Sequence, residues 1–123
     1  MVQMDFQSEK PIYLQIATEL EDAIFVGAFA EETQIPSTTE ISAQLKINPA
    51  TVLKGMSVLV DQGILYKKRG VGMFVKEGAV ETIREGRQAQ FFESFVLSMV
   101  EEAKKLGLSR EDLYTLIERG YEA

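Results

Sequence analysis

The sequence contains no cysteine and no histidine among its 123 residues. Without thiols there are no disulfides and no thiolate metal sites. Without imidazole the usual general base and the usual transition-metal ligand are missing too. Only carboxylates, lysine, tyrosine and hydroxyls remain for chemistry, so composition points away from an enzyme and predicts no cofactor. No apolar run approaches the ~18 residues of a membrane-spanning helix. The chain does not open with a basic segment followed by an apolar stretch, as a secretory signal would. These absences predict a cytoplasmic protein with no membrane partner. What is present, 46% hydrophobic and 26% charged residues, suffices for a real core. The length suits one domain with a short appendage.

Positive charge is scarce overall, with a net charge of -6, but it is concentrated. Residues 1–45 hold one basic and eight acidic side chains, and residues 77–123 hold six and ten. Residues 46–76 hold six basic and one acidic, a local net of +5. Phosphate attraction depends on the local face, because charges beyond a Debye length of ~8 Å are largely screened.

Periodicity predicts the elements around this basic stretch. Pro11 suits a first helical turn, and Tyr13, Ile16, Ala17, Leu20 and Ile24 recur at helical spacing until Gly27. Residues 28–36 lack a period and read as a connecting loop. Ser37 and Glu40 have capping-box spacing and open a short second helix with Ile41 and Leu45 inward. Asn48 as N-cap and Pro49 as first helical residue open a third, with Val52, Met56, Leu59 and Val60 inward, closed by Gly63. Residues 64–68 and 73–76 favour strands, separated by a glycine-bearing turn at 69–72. A long helix is predicted over 80–106, ended by Gly107. Ser109 and Asp112 then cap a last short helix, with Leu108 and Leu113 spaced as a hydrophobic staple.

Helix, short helix, tight turn, capped helix and basic hairpin together make a helix-turn-helix with a wing. The predicted fold is mainly α with a small β-hairpin (α+β): a winged helix-turn-helix over 1–77 and a two-helix tail over 78–123. The third helix turns Ala50, Thr51, Leu53, Lys54 and Ser57 outward, where the major groove of double-stranded DNA would lie. Its first turn offers unpaired N–H groups to a phosphate. An outward Leu53 can meet a thymine methyl, and Lys54 can reach phosphate or guanine. The hairpin adds Lys67, Lys68 and Arg69 beside glycines that allow close backbone approach. The alternatives are a solvated helix face and basic patch, a winged-helix protein-interaction module that does not bind DNA, or a carboxylate enzyme using Glu81 with Glu85.

The segments 11–16 (PIYLQI), 35–41 (IPSTTEI), 48–52 (NPATV), 62–65 (QGIL) and 69–75 (RGVGMFV) resemble those of GntR-type winged-helix regulators. The Asn-Pro-x-Thr-Val third helix and short helical tail are similar to the YtrA-like branch. The resemblance implies a dimeric bacterial repressor or activator, often controlling a nearby transporter operon. It places DNA contacts on Ser37, Thr38 and Thr39, on Pro49, Ala50, Thr51, Leu53 and Lys54, and on Arg69 and Gly70. Family members usually carry Arg where Thr39 stands and often a basic or amide residue where Leu53 stands. Each lost fork removes ~1–3 kcal/mol of base discrimination, which predicts an operator preference different from the family norm.

In the tail, Phe92, Val96, Met99, Ala103 and Leu106 alternate four and three apart, and Phe91, Phe95 and Val100 widen the stripe. With Leu113, Leu116 and Ile117 this is more apolar surface than two helices bury between themselves, so a homodimer is predicted to form here. Packing of the stripe on the winged-helix core is the alternative. Phe91, Phe92, Phe95 and Met99 are also candidate walls of an apolar pocket for a small-molecule effector.

Overall fold

In the computed structural model, which describes residues 4–123, regular structure begins at Pro11. This proline is the N-cap of helix α1 (Ile12–Phe25), one residue earlier than a first-turn position. Its extended ψ of 146° keeps it out of the helix while its carbonyl accepts from the amides of Leu14 and Gln15. Ile16, Ala17, Leu20 and Ile24 form one buried face. The helix closes where Gly27 adopts a left-handed φ of 85°, which lets the Ala28 amide donate back to the Ala23 carbonyl at 2.8 Å.

Helix α2 (Thr38–Leu45) starts at the predicted capping box: Ser37 Oγ accepts from the Glu40 amide, and the Glu40 carboxylate accepts from the Ser37 amide, both at 3.1 Å. Lys46 in the left-handed region ends it. Two residues later Asn48 Oδ1 accepts from the Ala50 amide at 2.8 Å and starts helix α3 (Pro49–Asp61). Val52, Gly55, Met56 and Leu59 are its buried positions. Val60, predicted inward, is half-buried.

Strands β1 (Leu65–Lys68) and β2 (Gly72–Val75) pair antiparallel, with Leu65 opposite Val75 and Lys67 opposite Met73. The stretch before α2 is more than a connector. Gln34 bridges Phe74, the Ile35 amide donates to the Met73 carbonyl, and the Val75 amide donates to the Thr33 carbonyl. One side of the hairpin is thereby covered, as an unpaired strand edge would otherwise not be.

Helix α4 (Ala79–Phe91) is fastened by Glu31, whose carboxylate accepts from the amides of Gly78 at 2.8 Å and Val80 at 3.1 Å. These backbone bonds hold its pKa below the ordinary glutamate value. Ala79 and Ile83 join the core built by α1, α3 and the hairpin. The first compact unit consequently ends at Glu85, later than the boundary after residue 77 that the sequence suggests.

The second unit is Gly86–Ala123. The helix expected over 80–106 is not uniform: a π-helical turn, Phe92–Val96, separates α4 from α5 (Leu97–Lys105). Helix α6 (Arg110–Glu122) opens with the predicted box, Ser109 Oγ accepting from the Asp112 amide at 3.0 Å. The reciprocal bond from the Ser109 amide holds the Asp112 carboxyl below its usual range. Ala103 is the one buried residue among those described in this unit.

Candidate nucleic-acid interface

Local rules set each part of the candidate surface. The capping box fixes where α2 begins, so Ser37 and Thr39 stand exposed at its first turn. The Asn48 cap and Pro49 fix where α3 begins, leaving Pro49 and Ala50 exposed at its tip and Thr51 half-buried. Further along α3, Leu53 is 46% exposed, and Lys54 and Ser57 also face outward.

A cleft of about 240 Å³ lies between these helices and the hairpin, lined by Ser37, Thr38, Thr39, Leu53, Met56, Lys67, Gly72 and Met73. Five predicted contact residues, one of them from the wing, thus share one concavity. Met56, read from the sequence as a core position, completes it together with Gly72 and Met73, none of the three having been a predicted contact. Thr38 Oγ1 donates toward Met56 Sδ at 3.6 Å, which ties the start of α2 to the buried side of α3.

The basic triplet divides. Side chains alternate along a strand, so Lys67 shares a face with Met73 and lines the cleft. Lys68 takes the opposite face, its Nζ 4.4 Å from the centroid of Phe74, which stacks on Tyr66. Arg69 and Gly70 occupy the exposed turn. Lys54 is drawn the other way, its Nζ lying 4.1 Å from the centroid of Tyr13 on α1. Among the described residues neither Lys67 nor Arg69 makes an ion pair.

Gln34 was not visible in the sequence as part of this site. Its Nε2 donates to the Val71 carbonyl at 2.9 Å and holds the tip of the wing across 37 residues of chain. Gly72, at φ 145°, admits that amide: a Cβ there would meet Gln34 Nε2 at 2.5 Å. No short-range pattern announces such a bond. Glu81, considered for catalysis, is paired with Arg84 on the surface of α4.

In the tail, Phe91, Phe92, Phe95, Met99, Leu106, Leu116 and Ile117 are exposed, while Val96, Val100 and Leu113 are half-buried. The rings of Phe91 and Phe95 lie tilted against each other with centroids 5.3 Å apart. Ala103 is covered within its own chain. A groove of about 370 Å³ is lined by Met99, Ala103, Leu106, Leu108, Leu113, Leu116, Ile117 and Glu102. Of the four residues considered for an effector pocket, Met99 alone reaches it.

Comparison with known proteins gives concordant matches. The family described as "Bacterial regulatory proteins, gntR family" matches residues 12–75, from the start of α1 to the end of β2. The HTH-type transcriptional repressor YtrA of Bacillus subtilis is 30% identical over 117 residues, which cover 95% of this chain and 89% of that protein. The fold is similar to that of a GntR-family transcriptional regulator from Bacteroides thetaiotaomicron, with a TM-score of 0.75 and 34% identity over 91% of this chain and 97% of the other. It is also similar to the AraR DNA-binding domain in complex with operator ORX1, at a TM-score of 0.54 and 29% identity, covering 61% of this chain and 99% of that one.

Proposed function

The chain belongs to the GntR family of bacterial regulatory proteins and has their winged helix-turn-helix DNA-binding fold, and from this premise we propose that it is a repressor that binds a pseudo-palindromic operator as a homodimer. The observation that carries the reading is the cleft in which Ser37, Thr39, Leu53 and Lys67 converge from three elements, Leu53 and Lys67 coming from the one basic stretch of an acidic chain. Such a surface offers hydroxyls and a methyl-bearing face to base edges, with Lys67 and Arg69 for phosphates. Pro49, Ala50, Thr51 and Lys54 extend it along α3, and Gly70 lets the wing tip approach the backbone. The exposed apolar side chains of α5, α6 and the π turn supply the dimer surface. Two-fold pairing then matches half-sites about 34–36 Å apart. Control of a neighbouring transporter operon fits the same reading.

Electrophoretic retardation of duplexes carrying the promoter of its own operon tests the proposal. Retardation is expected to depend on sequence and to weaken with salt. Lys67→Ala and Arg69→Ala are each expected to reduce the log–log salt slope by about 1. No retardation at low salt would sink the regulator reading.

A further inference from the structure

Resting on the reading that this chain binds operator DNA, we infer that α3 discriminates bases through thymine 5-methyl groups seated on Leu53, so that the regulator selects A·T pairs within each half-site. The argument begins with what α3 has to offer. Guanine and adenine are read bidentately by Arg, Lys, Asn or Gln. Residues Pro49–Asp61 contain no Arg, Asn or Gln.

The polar groups that remain are mostly engaged inside the protein. Asn48 Oδ1 accepts from the Ala50 amide, Ser57 Oγ donates to the Leu53 carbonyl at 2.9 Å, and Lys54 Nζ lies over Tyr13. At the start of α2, Ser37 Oγ serves the capping box and Thr38 Oγ1 points to Met56 Sδ. Thr51 is half-buried, and what is left facing outward at the centre is Leu53, 46% exposed, with Met73 and Thr39, which carries a methyl beside its hydroxyl, along the same cleft.

An exposed leucine alone means little. Its place between the first turn of α2 and Lys67 of the wing is what gives it a role, because both neighbours lie where phosphates and base edges are met. The thymine methyl is the one apolar group on the major-groove edge of the bases. Removing one methyl from such a contact is expected to weaken binding about fourfold.

The experiment uses the full chain and duplexes it enriches from a random pool. Each thymine is replaced in turn by deoxyuridine, which deletes the methyl and keeps every hydrogen-bonding group. Affinity is expected to fall about fourfold at one or two positions per half-site. Leu53→Ala is expected to lose a similar factor on the thymine duplex and to stop distinguishing thymine from uracil. Because Leu53 lies outside the buried core, the melting curve of Leu53→Ala should match that of the parent, which separates this effect from misfolding. Equal affinity for thymine and uracil at every position, or discrimination that survives in Leu53→Ala, overturns this inference alone. Failure to enrich any duplex overturns the regulator reading and the inference with it.

Discussion

Replacing Gly55 by alanine sets two effects of opposite sign against each other. In the interior of a helix alanine is favoured over glycine by ~0.8–1.0 kcal/mol, so propensity alone predicts that Gly55→Ala stabilises α3. The contact with α1 predicts the reverse. A Cβ at Gly55 would lie 2.8 Å from the Tyr13 carbonyl oxygen, 3.0 Å from Ile16 Cγ2 and 3.1 Å from Ile16 Cβ. The first of these is backbone, and Ile16 is fully buried, so neither neighbour can move aside without shifting α1. Overpacking of this kind costs ~1–3 kcal/mol, and a backbone clash belongs in the upper part of that range. The net expectation is a loss of about 1–2 kcal/mol, or roughly 5–15 °C in Tm for a unit of this size. Gly86 in α4 is the matched control, since a Cβ there meets nothing within 4 Å. Gly86→Ala should gain ~0.5–1 kcal/mol. Urea and thermal unfolding followed by far-ultraviolet circular dichroism reads both variants. A Gly55→Ala protein as stable as the parent, or more so, would refute the close approach of α1 and α3.

Three further outcomes are expected. Because the folded-state pKa of Glu31 is lowered, its stabilisation is complete above the ordinary glutamate value and disappears as pH falls through the lowered one; Glu31→Gln should reduce stability at neutral pH and flatten the acid limb of a stability–pH profile. Gln34→Ala removes a hydrogen bond of ~0.5–1.5 kcal/mol that preorganises the wing, so operator affinity measured by fluorescence anisotropy should drop about 2- to 10-fold, with Tm lowered by at most about 10 °C. Phe95 is 63% exposed on the π turn; Phe95→Glu should yield a monomer by analytical ultracentrifugation, and an unchanged dimer would place the subunit contact elsewhere.

The parts of the fold that were legible are those written in local chemistry. Ser37 with Glu40, Asn48 with Pro49, and Ser109 with Asp112 each bond a side chain to backbone within three residues, and the structure has these caps where the spacing puts them. The hairpin was legible within one residue for the same reason, its strands being bounded by a glycine-bearing turn. The Gln34 clamp joins residues 37 positions apart and leaves no periodic trace. Lys54 reads as an outward cation on a helical projection, and only the tertiary placement of Tyr13 draws it sideways. Lys67, Lys68 and Arg69 read as one patch, although strand alternation sends the two lysines to opposite faces. The role of Gly55 was not legible either: a glycine inside a helical pattern reads only as a propensity cost, and the nearness of Tyr13 and Ile16 is what gives it a reason.

The π turn at Phe92–Val96 changes what the tail's apolar pattern means. Such a turn holds one residue more than an α-helical turn, and each α-helical residue advances the side chain by about 100°. Everything after Val96 is therefore out of phase with what precedes Phe92, so Phe91 and the Met99, Ala103 and Leu106 series do not share the heading that an uninterrupted α-helix would give them. Removing Glu93 or Ser94 from that turn would realign them without deleting any apolar side chain of the stripe. A one-residue change in that turn thus rotates the exposed apolar side chains of α5 against residues 86–91 while every residue of the winged helix keeps its identity.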